Sequence, residues 1–119
     1  MFQSRPVALV LEDEPLISMD VEQALDSAGF EVIAVTSCAA AHAVLDSRRP
    51  AVAIVDIMLL DGPCIPIAER LVGADIPFVV HSGDQPEPHA NTPFAGGIWV
   101  SKPSSADQFM AAVLSAAAR

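Results

Sequence analysis

A chain of 119 residues that is 52% hydrophobic and carries a formal charge of −9 is long enough for one core and too apolar to stay disordered. Its acidity argues against direct binding to nucleic acid or to an anionic membrane surface, since both need clustered Lys and Arg. No apolar run approaches the roughly 20 residues that span a bilayer, and Met1–Pro6 holds no signal-like apolar segment, so the cytoplasm is the expected location.

In chain order, Val7–Leu11 is a wholly apolar run of the kind buried on both faces of a sheet. The acidic cluster Glu12-Asp13-Glu14 follows, and Pro15 suits the first turn of a helix. Ile17, Val21, Ala24, Leu25 and Ala28 then recur at helical spacing up to Gly29, placed as a C-terminal cap. Glu31–Val35 reads as a second strand. Ser37 can cap a helix through about Ser47, with Ala41, Val44 and Leu45 inward. Val52–Val55 is a third strand ending on Asp56, and Asp61-Gly62-Pro63 has turn chemistry. A helix is expected near Cys64–Val72, a strand at Phe78–His81 and another at Ile98–Val100. Ser104-x-x-Asp107 reads as a capping box for a last helix striped by Phe109, Met110, Val113, Leu114 and Ala117. Cys38 and Cys64 fit no metal spacing and read as small reduced thiols; His42, His81 and His89 share no spacing and read as packing or surface residues, with His81 nearest the strand ends that matter.

Alternating apolar strands and helices imply an α/β fold, a doubly wound parallel sheet of five strands. Ligands of such sheets lie beyond the carboxyl ends of the strands. Those ends carry Glu12-Asp13-Glu14, Asp56, His81-Ser82-Gly83 and Lys102-Pro103, where Lys102 is the chain's single lysine. Converging carboxylates repel unless a cation intervenes, and hard oxygen ligands suit Mg²⁺ alongside phosphate. Carboxylate, metal, hydroxyl and ammonium together are what phosphoryl transfer to an aspartate needs.

The segments Leu9-Val10-Leu11-Glu12-Asp13-Glu14, Ile54-Val55-Asp56-Ile57-Met58-Leu59-Leu60-Asp61-Gly62, Val80-His81-Ser82-Gly83 and Trp99-Val100-Ser101-Lys102-Pro103 resemble the receiver domain of two-component response regulators, in order and over nearly the whole chain. Each is weak alone; their coincidence at successive strand ends carries the resemblance. It implies a flavodoxin-like receiver fold with Asp56 as phospho-acceptor and Asp13 as direct metal ligand. Glu12 would bind the Mg²⁺ directly or through water, and the Met58 backbone carbonyl would add a further ligand. Ser82 would take the switch hydroxyl position, Lys102 would pair with the phosphoryl group or Asp56, and Trp99 would be the switch aromatic. Pro103 would follow a peptide bond that is often cis in the family.

Residues 83–97 depart from the family pattern, because three prolines and three glycines oppose a regular helix. The fourth helix is therefore expected to be short or irregular, which counts against the usual dimer surface and leaves a monomer or weak dimer. Ser82-Gly83 resembles single-domain receivers that carry Thr-Gly there. Met58 and Asp84 occupy positions that tune hydrolysis in the family. The resemblance implies a histidine kinase as partner, a partner-binding switch without its own output domain, and no enzymatic activity beyond the chain's own phosphorylation and dephosphorylation. The alternatives are a relay or sink between a kinase and a histidine phosphotransfer protein, a receiver cut from a longer protein, and a phosphorylation-independent binding module. A flavin binder of the same architecture is disfavoured, because the acidic cluster repels a flavin phosphate and no Gly-rich loop follows the first strand.

Overall fold

The computed structural model describes residues 5–83 and 89–119. In chain order, β1 is Val7–Leu11, α1 Pro15–Ser27, β2 Glu31–Val35, α2 Cys38–Leu45, β3 Val52–Val55, β4 Met58–Leu59, β5 Gly62–Pro63, α3 Ile65–Gly73, β6 Phe78–Ser82, β7 Ile98–Ser101 and α4 Ala106–Ala117. Five of the strands form a parallel sheet in the order β2-β1-β3-β6-β7; β4 and β5 make a small antiparallel hairpin, Met58 opposite Pro63 and Leu59 opposite Gly62. This is the doubly wound sheet that the alternation of strands and helices implies.

The period of each strand divides the core into two layers. Leu9, Leu11, Ala53, Val55, Phe78 and Val80 point to one face and pack with Ala41 of α2 and Ile67, Ala68 and Leu71 of α3. Ala8, Val10, Val52, Ile54 and Val79 point to the other and pack with Val21 and Leu25 of α1 and Phe109, Val113 and Ala116 of α4. β1, β3 and β6 are buried along their whole length, as their unbroken apolar sequences require. β2 differs: as an edge strand it is half-buried, which its sequence of Val, Ile and Ala does not reveal.

Local chemistry starts and stops the helices. Pro15 opens α1, which ends before Gly29 at φ 99°, a left-handed conformation that costs glycine little. Ser37 caps α2 by accepting from the Ala40 N–H. The last helix starts one residue later than its sequence suggests. Ser105, not Ser104, is the cap, accepting from Gln108 N–H while the Gln108 side chain accepts from Ser105 N–H. Ser104 is turned instead toward His81, its Oγ 3.4 Å from Nε2.

Between β6 and β7 the described residues hold no α-helix; a 3-10 turn at Pro93–Gly96 buries Phe94 against α3. This agrees with the expected short or irregular element; Asp84 lies outside the described residues. Gly97 closes the turn against Phe78: a Cβ there would lie 2.5 Å from the Phe78 ring and 3.0 Å from its carbonyl oxygen. The obstacle is a buried ring and a sheet backbone, neither of which yields cheaply. Gly97→Ala is expected to destabilise the fold by about 2 kcal/mol, as overpacking of a core does, read as a lower urea midpoint at unchanged slope.

Candidate functional site

The sheet's hydrogen bonding runs one residue past the strands and so fixes the backbone of the candidate residues. Glu12 N–H donates to Val35 O at 3.1 Å, Asp56 N–H to Leu11 O at 3.0 Å and Lys102 N–H to Ser82 O at 2.8 Å. Glu12, Asp56, Ser82 and Lys102 therefore meet at one edge, where β1 and β3 run side by side and the order of strand connection reverses.

The side chains converge as well. Lys102 Nζ donates to Glu12 Oε1 at 2.5 Å and to Asp56 Oδ2 at 3.0 Å. Glu12 is only 4% exposed, and the Lys102 and Asp56 side chains 16% each. Carboxylate oxygens of Glu12, Asp13 and Asp56 all lie within 4.8 Å of one another, a spacing that a divalent cation can bridge. Glu12 also accepts from the Glu14 N–H at 3.2 Å, so Glu14 turns the chain into α1 while its own side chain caps nothing.

Burial and charge compete at this edge. Burial raises the Glu12 carboxyl above the usual carboxylate range, and its hydrogen bond and ion pair with Lys102 offset this only in part. For Lys102, burial alone would lower the ammonium; the hydrogen bonds and charges of Glu12 and Asp56 outweigh it and hold the group above the usual lysine value. Exposed pairs such as Arg5–Asp26 and Arg48–Glu31 are worth at most about 1 kcal/mol. Removing one partner of a buried pair strands the other and costs about 3–5 kcal/mol. Among the described residues, the Lys102 network is therefore the ion-pair system whose breakage would be felt most strongly.

The remaining expectations are placed as follows. Ser82 is buried at the end of β6 and opposite Ser101 of β7. Met58 is exposed on β4, in the hairpin that follows Asp56. The Lys102–Pro103 peptide is cis. Trp99 packs against the layer of α2 and α3, stacked on His89 with ring centroids 5.6 Å apart, and its Nε1 has no hydrogen-bond partner among the described residues.

Two residues that the sequence named without a role at the site have one in the structure. Asp61 accepts from the backbone N–H groups of Cys38 at 2.8 Å and Ala39 at 3.1 Å, tying the loop after Asp56 to the start of α2. These bonds hold its carboxyl below the usual range. His81 is buried against Phe109, with ring centroids 5.2 Å apart. It lines a cavity of about 680 Å³ between α1 and α4, together with Ile17, Asp20, Lys102 and Ser104.

Burial first, then the neighbouring Lys102 charge, pushes the His81 imidazole down to about 4. The folded-state value lies below the unfolded one, so His81 folds neutral. Its contribution is fully present above about pH 6.5 and is lost as pH falls toward about 4, at most roughly 3 kcal/mol for a shift of this size. Wild-type protein is expected to lose melting temperature steeply across that window. His81→Phe should flatten the slope; an unchanged slope would show that other groups set the acid sensitivity.

No family model matches the chain. Over 56 residues, 45% of the chain, it is 43% identical to the phyllosphere-induced regulator PhyR of Methylorubrum extorquens, and the match spans 21% of that relative's length. The receiver domain of the PhyR response regulator of Erythrobacter litoralis superposes with a TM-score of 0.80 at 28% identity, covering 95% of this chain and 89% of that one. The receiver domain of the sensor histidine kinase PA1611 of Pseudomonas aeruginosa, solved with a magnesium ion coordinated in its active-site cleft, has a TM-score of 0.83 over 98% of this chain and 100% of that one. At 15% identity this last likeness speaks for the fold alone. The chain thus has the fold of response regulator receiver domains and is similar over nearly its whole length to receiver proteins at 26–28% identity.

Proposed function

We propose that Asp56 accepts a phosphoryl group from a phosphohistidine of a histidine kinase, with Mg²⁺ held by Glu12, Asp13, Asp56 and the Met58 backbone carbonyl. The observation that carries this reading is the Lys102 ammonium bridging Glu12 and Asp56 beside three carboxylates whose oxygens lie within 4.8 Å. The donor set fits the ion: hard oxygens, no sulfur or nitrogen ligand, and a net negative charge that one lysine leaves uncompensated. When bound, Mg²⁺ offsets charge on the transferring phosphoryl oxygens.

The chain's own residues supply the rest. A carboxylate oxygen of Asp56 attacks phosphorus, the phosphorus–nitrogen bond of the donor breaks, and its electron pair stays on the imidazole. Lys102 leaves Glu12 and pairs with the new phosphoryl group, and Ser82 donates its hydroxyl to a phosphoryl oxygen. Trp99 rotates with Ser82. Its buried N–H, without a partner among the described residues, supports this, because an unsatisfied buried donor costs about 1–3 kcal/mol.

The output is a partner-binding switch in the cytoplasm, with no reaction on any substrate other than its own phosphoryl group, acting as a monomer or weak dimer. No described helix is long and apolar enough to cross a membrane. Relay to a histidine phosphotransfer protein is the alternative, and a phosphorylation-independent module a further one.

Trp99, the chain's single tryptophan, is a built-in reporter. Its fluorescence is expected to change saturably with Mg²⁺ and again with beryllofluoride, and Asp56→Asn should lose the second response. Asp56→Asn should also abolish labelling by a small phosphodonor; labelling at the wild-type rate would sink the acceptor assignment. Efficient return of the label to a phosphotransfer histidine would favour the relay. Absence of Mg²⁺ binding by calorimetry would leave the phosphorylation-independent module. Lys102→Ala should bind Mg²⁺ at least as well as wild type, since a competing cation is gone, yet lose most of the fluorescence response to beryllofluoride.

A further inference from the structure

We propose that Cys38 and Cys64 are a reversible disulfide site that fixes the loop after Asp56 to the start of α2. Both thiols are free, and their sulfur atoms lie 2.7 Å apart. That is far closer than the 3.8 Å at which Cys38 Sγ meets the carbonyl oxygens of Gly62 and Pro63. It is within a fraction of an ångström of a covalent S–S bond, about 2.05 Å. Closing the bond therefore needs only a small movement of either element.

The two cysteines come from elements that the chain already holds together. Cys38 is the first residue of α2, and Cys64 directly precedes α3, its N–H donating to Ile57 O at 2.7 Å. Asp61 adds the non-covalent tether described above. The bracketed segment, residues 57–64, carries Met58 and directly follows the acceptor Asp56, so the consequence for phosphorylation rests on the function proposed above; the bond itself does not.

The chemistry balances with a low-molecular-weight disulfide such as glutathione disulfide as oxidant. Cys64 is buried and Cys38 half-buried, which makes Cys38 the point of entry. Its thiolate attacks one sulfur of the glutathione disulfide, whose S–S bond breaks to release one glutathione thiolate, which takes up the proton that Cys38 lost. Cys64, deprotonated in turn, attacks the Cys38 sulfur and expels the second glutathione. Two electrons and two protons pass from the protein to two glutathione molecules. Burial holds both thiols above the usual cysteine range, with Asp61 adding to the shift, and this outweighs the lowering expected at a helix N-terminus. Both thiols are free in this structure, so the bond forms only when an oxidant is present, as suits a regulatory rather than a structural disulfide.

The test incubates the full chain in glutathione redox buffers, blocks residual thiols by alkylation and maps peptides by mass spectrometry. A cross-linked peptide containing Cys38 and Cys64, reversed by excess reduced glutathione, is the expected result. Cys64→Ser should stop at a glutathione adduct on Cys38, and Cys38→Ser should form no bond. A wild-type protein that stops at the adduct, or whose thiols both stay alkylatable, would overturn the proposal. Hydrogen exchange reads the tether without any phosphoryl chemistry: amides in 57–64 should exchange severalfold more slowly in the cross-linked form. Equal rates would show that the bond does not fix the loop.

Discussion

The rest of the site depends on one constraint: three carboxylates are held close together at the rim of a protein that is already strongly acidic. Their repulsion is built in by the sheet, because β1 and β3 are hydrogen-bonded neighbours and the ladder extends through Asp56. Glu12 is nearly as buried as the core beneath it. In that position a carboxylate must be paired or neutralised, since an isolated buried charge costs several kcal/mol. Lys102 supplies one positive charge for three negative ones. The edge is therefore under-compensated, and that residual charge gives a divalent cation or the equatorial oxygens of a phosphoryl group, drawn in with one, a reason to be there.

The same crowding explains the asymmetry between the two faces. On the side of α2 and α3, the acceptor loop is fastened by Asp61 and the thiol pair, both acting on the first turn of α2. On the side of α1 and α4, His81, Phe109 and Ser104 leave an open cavity under Lys102. The α2 side is satisfied by hydrogen bonds from backbone to carboxylate, which leave few orphaned donors at that helix end. The α1 side is instead lined by the ring contact of His81 with Phe109 beside that cavity.

Much of this was legible in the sequence, for identifiable reasons. Buried parallel strands show as unbroken apolar runs, and residues just beyond such runs share one edge, so Glu12, Asp56, Ser82 and Lys102 could be brought together before any coordinates. Helix starts at Pro15 and Ser37 have local causes and were equally readable. What escaped depends on contacts distant in sequence. β2 is an edge strand because of strand order, which its own residues do not encode. Ser105 rather than Ser104 caps the last helix because Ser104 is drawn to His81, a residue on another strand. Asp61 read as turn chemistry, and nothing nearby signals that its carboxylate caps α2.

The cysteines show the same limit in its sharpest form. Spacing along the chain showed no metal motif and read the two cysteines as separate small thiols; in the structure both are free, yet their sulfur atoms meet. Spacing could not report that two parallel crossovers return the starts of α2 and α3 to one point. A connection of this kind is fixed by the right-handed winding of the fold, and under the two proposals above it makes the loop after Asp56 a meeting place of charge, at Asp56, and covalent closure, at Cys38 and Cys64. The first acts on the inner end of the loop and the second on its outer end. Because the hairpin of β4 and β5 lies between them, with Met58 paired to Pro63 next to Cys64, a change at either end reaches the other through a single pair of short strands.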